Sequence, residues 1–545
     1  MATIENLANA SITEKNQLLN SVKTTVETAF YGNNVQEVLD LQDAYDRANQ
    51  APGTIVTDMS VKHTQDLGLP DDAKVLVYNN GKIVGRTAAA RVIAEYPETD
   101  TKQYEGIIRE AIFEGRAEKF LKTEVYVGLD ADFMMKSHLM IPEEYANSLY
   151  SYMLNFQVKD AIHDAMYQAS NQFDENDIYI YADPNWQHPD FPNGLAFFDQ
   201  AHNVAIILGL SYFGELKKGT LTLAWATAHR NGFVSAHGGM KQYQLADKTY
   251  TMAAFGLSGS GKSTITFAPS KRDEQIEILH DDAFVINKTD ASATALEPSY
   301  FDKTQDYDLT KSSVDYFLTC QNVGVTLNES GEKVPVLRDI RNSNGRAVKS
   351  RFMTKNRTDH LASALDAVYW IMKDDSLPPV LKITDPVIAA AFGVTLATKR
   401  SSAENIVKGV DKNKLVIEPF ANPFRVYPLG EDYQDFRTLF EELGTACYVI
   451  NTGYFGNKKV TPDVTLDSID DIIHHEAKFV PYGGLDELLY LEIPGYEVDF
   501  SDIHYREKVV ERLQTRLNFM EAQTEYNIWP GEAKATMAQL IDKLA

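Results

Sequence analysis

The segment Gly256-Leu257-Ser258-Gly259-Ser260-Gly261-Lys262-Ser263-Thr264 concentrates the clearest chemistry in the chain. It satisfies the pattern G-x-x-x-x-G-K-[ST], and the preceding TYTMAAF (249–255) has the β-branched and aromatic content of a buried strand. Glycines let a turn bring successive backbone N–H groups around an anion, and a helix that follows points its partial positive end at the same place. A phosphate chain fits such a cradle. Lys262 would sit on the outer phosphates, and the Ser263 hydroxyl would be a ligand for magnesium.

Other residues invite the same question with less specificity. Asp281 and Asp282 end the apolar run IEILH shortly after Lys262, where nucleotide-using enzymes place a metal-holding acid, and their hard oxygens suit magnesium or manganese. Upstream, SYFGELKKG presents Lys217 and Lys218 together, and FVSAHGGM presents His237 among small residues. Adjacent lysines are usually a solvated face, and a single histidine is more often structural than a ligand. The pair His474 and His475 lies in a polar, helix-like stretch and reads as surface.

The elements that must position these residues read as mixed α/β. DIYIYADPNW (177–186), NVAIILGLSYFG (203–214), IEILHDDAFVIN (276–287) and ACYVINTGYFG (446–456) are strand-like, interleaved with helical stretches. Residues 1 to 60 read as helices or a loosely packed lead-in broken by APG at 51–53. Val510, Leu513, Leu517 and Met520 recur at helical spacing and predict a core-packing helix near the end. A chain of 545 residues is too long for one core, so at least two domains are expected. With 77 acidic against 52 basic residues, the net charge of −25 offers no basic field for nucleic acid or anionic membrane. Only Cys320 and Cys447 occur, without metal-like spacing, which argues for a reducing compartment. With no signal-like N-terminus and no apolar run near 18 residues, a cytoplasmic protein without a membrane span is expected.

In order, YFGELKKG, SAHGG, FGLSGSGKST, ILHDD, LPPV and VINTGYFG resemble the segments of ATP-dependent phosphoenolpyruvate carboxykinase: Y-G-G-E-M-K-K-G, a histidine, the P-loop, a G-D-D turn, L-P-P-V and V-N-T-G-W. The resemblance runs from about residue 80 to 470. Each piece is weakly specific, and the ordered set is strongly so. VGRTAAARVI resembles the family's T-G-R-S-P-K-D-K and places a substrate-binding arginine at Arg86, while RNSNGRAVKS resembles N-T-R-V-S-Y-P and places a phosphate-contacting arginine at Arg346.

The resemblance implies roles for the ambiguous clusters. Lys218, as a neutral amine, would coordinate manganese with His237 and Asp282; an ammonium has no lone pair to offer, so the metal's charge and neighbouring Lys217 must drive its proton off. Lys217 would act as a cation toward phosphate or substrate, Tyr212 would approach the bound substrate, and Asp281 would orient metal-bound water. Lys459 and Thr465 would line the nucleotide site. The implied reaction is oxaloacetate plus ATP giving phosphoenolpyruvate, carbon dioxide and ADP, with manganese and magnesium as cofactors. Its enolate must be shielded from water, so a closing loop is expected within ITDPVIAAAFGVTLATKR, where Lys399 and Arg400 would be structural charges.

The implied fold is a two-domain α/β carboxykinase-like architecture, with an N-terminal substrate domain at 1–230 and a P-loop mononucleotide-binding and metal-binding domain at 231–545. A monomer acting on small molecules is expected. This chain departs from the family at several points. S-P-K-D-K becomes TAAAR, YGGE becomes YFGE with Phe213, the arginine of G-K-R-[IV]-S becomes Lys459, and the residue matching the lysine of the family's G-G-C-Y-A-K segment is not a lysine, which leaves open whether Lys288 replaces it. Such drift fits a divergent carboxykinase. It also leaves open a kinase on the same metal scaffold with another small-molecule or protein hydroxyl as acceptor, or a non-catalytic nucleotide-binding regulator.

Overall fold

The computed structural model describes residues 16, 18–78, 82–257, 259–399 and 415–545. Ser258 and Arg400 lie outside the described residues. The chain divides into two units: unit 1 comprises Met1–Asn231 and Ala295–Lys355, and unit 2 comprises Gly232–Thr294 and Asn356–Ala545.

Unit 1 is built on an eight-stranded mixed sheet. At its centre, Ile178–Asp183 and Val204–Leu208 run parallel, with Val204 beside Tyr179 and Leu208 beside Asp183. Val204–Leu208 is wholly buried, as expected for an apolar run covered on both faces. The helices Ser21–Ala29 and Thr101–Gly115 bury Val22, Val26, Ile108 and Ala111 against Tyr181, Phe197, Ile206 and Leu208. The lead-in expected before residue 60 therefore contains a helix of the unit 1 core. The helix Phe213–Arg230 is buried along nearly its whole length.

The stretch 295–355 returns to unit 1 because its strands find their partners there. Tyr300–Lys303 pairs with Arg346–Lys349, which pairs with Phe317–Gln321, which lies parallel to Lys74–Tyr78. Their backbone groups are satisfied in this five-stranded sheet. Arg346 accordingly belongs to unit 1.

Unit 2 carries a second eight-stranded sheet. Its parallel centre is formed by Thr249–Phe255, Ala367–Met372 and Ala446–Asn451; on one side Gly239–Gln244 runs antiparallel to Thr249–Phe255, and Gln275–His280 runs antiparallel to Gly239–Gln244. Ile265, Ile469, Ile472 and Ile473 pack with Met252, Ala254, Ile371 and Ile450 in one cluster. Elsewhere Trp370 meets Phe436, with ring centroids 5.3 Å apart. The segment expected to close as a loop is a helix over Pro386–Val394, capped by Asp385 and buried from Val387 to Val394. So apolar a helix belongs to the core. The helix Ile503–Glu521 buries Leu513, Leu517 and Met520 as read from the sequence, with Val509 rather than Val510 as the buried valine. Among the described residues no helix is long and apolar enough to cross a membrane.

Candidate functional site

In unit 2 the strand Thr249–Phe255 ends at the glycine-rich loop, and the helix Lys262–Phe267 starts directly after Gly261, whose φ of 104° needs glycine. The loop is held from behind. Thr452 Oγ1 donates to the Ser260 carbonyl at 2.6 Å, and Lys373 Nζ donates to the Gly259 carbonyl at 2.7 Å. Desolvation foremost, then the Lys459 charge, holds the Lys373 amine below its ordinary value, which marks a locally cationic neighbourhood beside the loop. Lys459 itself is exposed on the short hairpin strand Lys458–Lys459, and Thr465 is buried in the helix Pro462–Ile473.

Asp281 gathers the two chemistry-bearing residues of the loop. Its Oδ2 accepts the Ser263 hydroxyl at 2.6 Å, its Oδ1 lies 3.2 Å from Lys262 Nζ, and its backbone carbonyl also accepts from that amine. Gly239 makes this possible: a Cβ there would stand 1.9 Å from Thr266 Oγ1 and 3.1 Å from Asp281 Oδ1.

Next along the chain, Asp282 Oδ1 lies 2.9 Å from His237 Nε2. His237 Nδ1 bonds the Ala421 carbonyl, and a carbonyl only accepts, so Nδ1 carries a proton and Nε2 is the nitrogen that faces the carboxylate. Once Nε2 gives up any proton, an imidazole nitrogen beside a carboxylate oxygen is a donor set for a divalent cation. The pair is brought together by strand pairing, because His237 lies across from Ala283 in the antiparallel register.

Unit 1 collects the remaining residues. Gln321 ties the start of the helix Phe213–Arg230 to the five-stranded sheet, donating to the Ser211 carbonyl at 3.1 Å and accepting from the Phe213 N–H at 3.3 Å. In the strand register Gln321 pairs with Arg346. Val84 is held by Asn322 and Asn344, which brings the segment carrying Arg86 to the turn next to Arg346. Arg86 and Arg91 each lie 3.9 Å from the buried Glu215. Burial, set against the attraction of Glu215, lowers Arg91 to about 10. Tyr212 caps the helix, and a Cβ on Gly214 would stand 2.4 Å from its ring, so glycine is needed there. Lys218 is partly exposed, with Nζ 5.6 Å from the centre of the Trp225 ring.

Several placements were not legible in the sequence. Lys217 is fully buried and lies 2.9 Å from the equally buried Glu297, a core ion pair where adjacent lysines suggested a wet face. Phe213 is buried against Phe301, rings edge to face at 5.1 Å. Lys288 is engaged by Asp435 at 2.8 Å. A different lysine fits the G-G-C-Y-A-K spacing: Pro298-Ser299-Tyr300-Phe301-Asp302-Lys303 keeps the aromatic at the fourth place and the lysine at the sixth, and Lys303 pairs with Arg346 across the sheet. His474 is half-buried and bonds Glu274 at 2.7 Å, so it belongs to an ion-pair network with Asp470 and Arg272.

A family model described as phosphoenolpyruvate carboxykinase matches residues 56–494. Among curated proteins, the chain is 24% identical over 287 residues to phosphoenolpyruvate carboxykinase (ATP) of Aeropyrum pernix, covering 51% of this chain and 57% of that protein. It is 25% identical over 288 residues to the Mesorhizobium japonicum protein of the same name, covering 50% of each. It is 24% identical over 315 residues to the glycosomal phosphoenolpyruvate carboxykinase (ATP) of Trypanosoma brucei brucei, covering 54% of this chain and 61% of that protein. The matches span between half and about three-fifths of the length of these relatives.

Proposed function

The chain belongs to the phosphoenolpyruvate carboxykinase family, and on that premise we propose that it converts oxaloacetate and ATP to phosphoenolpyruvate, carbon dioxide and ADP. The support from geometry is the cluster in unit 2 where Asp281 holds Lys262 and Ser263 while its neighbour Asp282 faces His237 Nε2. In this reading unit 2 is a P-loop mononucleotide-binding domain, and the amides of Gly256–Gly261 with Lys262 cradle the phosphates of ATP.

In unit 2, His237 and Asp282 would hold manganese and Ser263 magnesium, and Lys218 is the further manganese ligand that the family resemblance implies. Bound there, the two ions supply positive charge to substrate oxygens that grow more negative as the reaction proceeds. The protein residues do the rest by position and charge. Arg86 holds a substrate carboxylate by charge-assisted hydrogen bonds. Breaking the bond between the departing carboxyl group and the carbon next to the ketone releases carbon dioxide, and the electron pair moves onto the ketone oxygen as an enolate. That oxygen attacks the γ-phosphorus and ADP leaves, so no dedicated general base is required. Arg346, Lys303 and Lys262 balance the charge spread over the transferred phosphoryl group. Lys217, paired with Glu297, holds the start of the helix that carries Lys218.

Purified protein with manganese, magnesium and oxaloacetate, supplied in turn with ATP, GTP or pyrophosphate, tests the reading directly. Phosphoenolpyruvate is expected with ATP; its absence with every donor refutes the proposal. Lys218→Met should abolish turnover and leave nucleotide binding intact, and Arg86→Ala should raise KM for oxaloacetate.

A further inference from the structure

Lys241 lies in the strand Gly239–Gln244 and is 1% exposed. Its neighbours across the sheet are Met252 and Ile278. Among the described residues its amine has one hydrogen bond, to the Ala268 carbonyl at 3.0 Å, and it stands 4.7 Å from the centre of the Tyr243 ring. Among the described residues no carboxylate pairs with it, which is unusual for a lysine at this depth. Ala268 caps the helix Lys262–Phe267, so the amine satisfies a carbonyl at the negative end of the short helix whose other end bears Lys262 and Ser263. Two residues before Lys241, Gly239 lets Thr266 of the same helix come into contact. Strand and helix are thus joined at two successive points.

We propose that Lys241 is a positioning residue for the nucleotide loop: its amine fixes the far end of the helix that begins with Lys262 and Ser263, and its protonation is coupled to phosphate binding at the near end. The inference rests on the reading of Gly256–Thr264 as a nucleotide cradle.

Burial alone brings the Lys241 amine down to about 7. The surrounding groups leave this titration to Lys241. Tyr243 on its own strand and Tyr250 on Thr249–Phe255 are both held protonated by burial. Glu277 pairs with Gln242, whose side chain alternates to the other face. Glu274 and Asp470 act on Tyr243, and Lys262 is engaged by Asp281. With the folded value depressed, the unfolded chain holds a proton that the folded one lacks between about pH 7 and the ordinary lysine range, so stability rises with pH across that window. Phosphate affinity runs the other way. The ammonium present below about pH 7 lies at the far end of the six-residue helix from the phosphate cradle, and it attracts a bound polyphosphate across at least that length.

ADP binding by the full chain, measured from about pH 6 to about pH 8.5 at constant ionic strength, tests the coupling in wild type, Lys241→Arg and Lys241→Met. Wild-type affinity should fall on the order of fivefold relative to Lys241→Arg as pH rises, and Lys241→Met should bind weakly throughout. Lys241→Arg keeps its charge and should restore binding at high pH. Calorimetry of the wild type in two buffers of different ionisation enthalpy adds a measurement that needs no variant: protons should be taken up on ADP binding above pH 7. Superimposable pH profiles in the three proteins, or binding without proton uptake, overturns the inference. Failure of the wild type to bind ADP at any pH instead refutes the nucleotide reading on which it rests.

Discussion

The Lys217 ammonium and the Glu297 carboxylate lie 2.9 Å apart with neither side chain exposed, and Asn155 donates to the other Glu297 oxygen at 2.6 Å. A buried charge is tolerated when its partner is present and becomes costly alone. Either Lys217→Met or Glu297→Gln should therefore destabilise unit 1 by about 3 kcal/mol, and the double variant by less than the sum of the two. Urea unfolding followed by a unit 1 probe, such as Trp225 fluorescence, reads this out. Additive losses would show that the pair is not coupled.

His237 and Asp282 make a second pair, for which a metal-holding role is proposed. With Nδ1 bonded to the Ala421 carbonyl and Nε2 2.9 Å from Asp282, a cation that displaces the Nε2 proton would meet a lone pair on each partner. Manganese binding, followed by electron paramagnetic resonance, should weaken on the order of tenfold or more in His237→Gln and in Asp282→Asn. Nucleotide binding without metal should change little. Unaltered manganese affinity in both variants would remove this pair from the metal site.

How much of this was legible depends on the range of the interactions. The loop Gly256–Thr264, its preceding strand and the two aspartates were readable because turn chemistry and apolar runs are local. Arg346 could not be assigned to unit 1 from its surroundings, because the strand Arg346–Lys349 joins a sheet that reaches Lys74–Tyr78 far upstream. Lys217 read as solvated because its counter-charge, Glu297, lies in another segment. The segment around Pro386–Val394 read as a loop from its expected role, although its mean apolarity is that of a buried helix. The six-residue spacing that ends at Lys303 is local and is present in the sequence, whereas its pairing with Arg346 depends on a strand more than forty residues away.

Glu95 gives unit 1 a titration that stability measurements can isolate. Burial first, and the Asp199 charge second, push its carboxyl up to about 7, while Oε1 accepts the Ala201 N–H at 2.8 Å. A raised folded value means that the contribution is fully present below the ordinary carboxyl range and is lost as pH rises through about 7. Glu95→Gln keeps the acceptor and cannot ionise. The variant should exceed wild type by about 2 kcal/mol at pH 8 and match it near pH 4, as measured by chemical denaturation. Equal stability at both values would mean that Glu95 ionises freely in the fold.

Gly239 connects the sheet of unit 2 to the nucleotide reading through sterics alone. A methyl group there would meet Thr266 Oγ1 at 1.9 Å and crowd Asp281 Oδ1 at 3.1 Å. Thr266 is buried on the helix Lys262–Phe267, and Asp281 anchors both Lys262 and Ser263, so relief must come by shifting the helix or the aspartate. Either movement separates Ser263 Oγ from the carboxylate it reaches at 2.6 Å. Gly239→Ala should destabilise unit 2 by about 1–3 kcal/mol and weaken nucleotide affinity. Pairing it with Thr266→Ala, which vacates the space, should recover much of both losses. If Gly239→Ala binds nucleotide as wild type does, the strand and the helix are not in the rigid contact on which Lys262 and Ser263 depend.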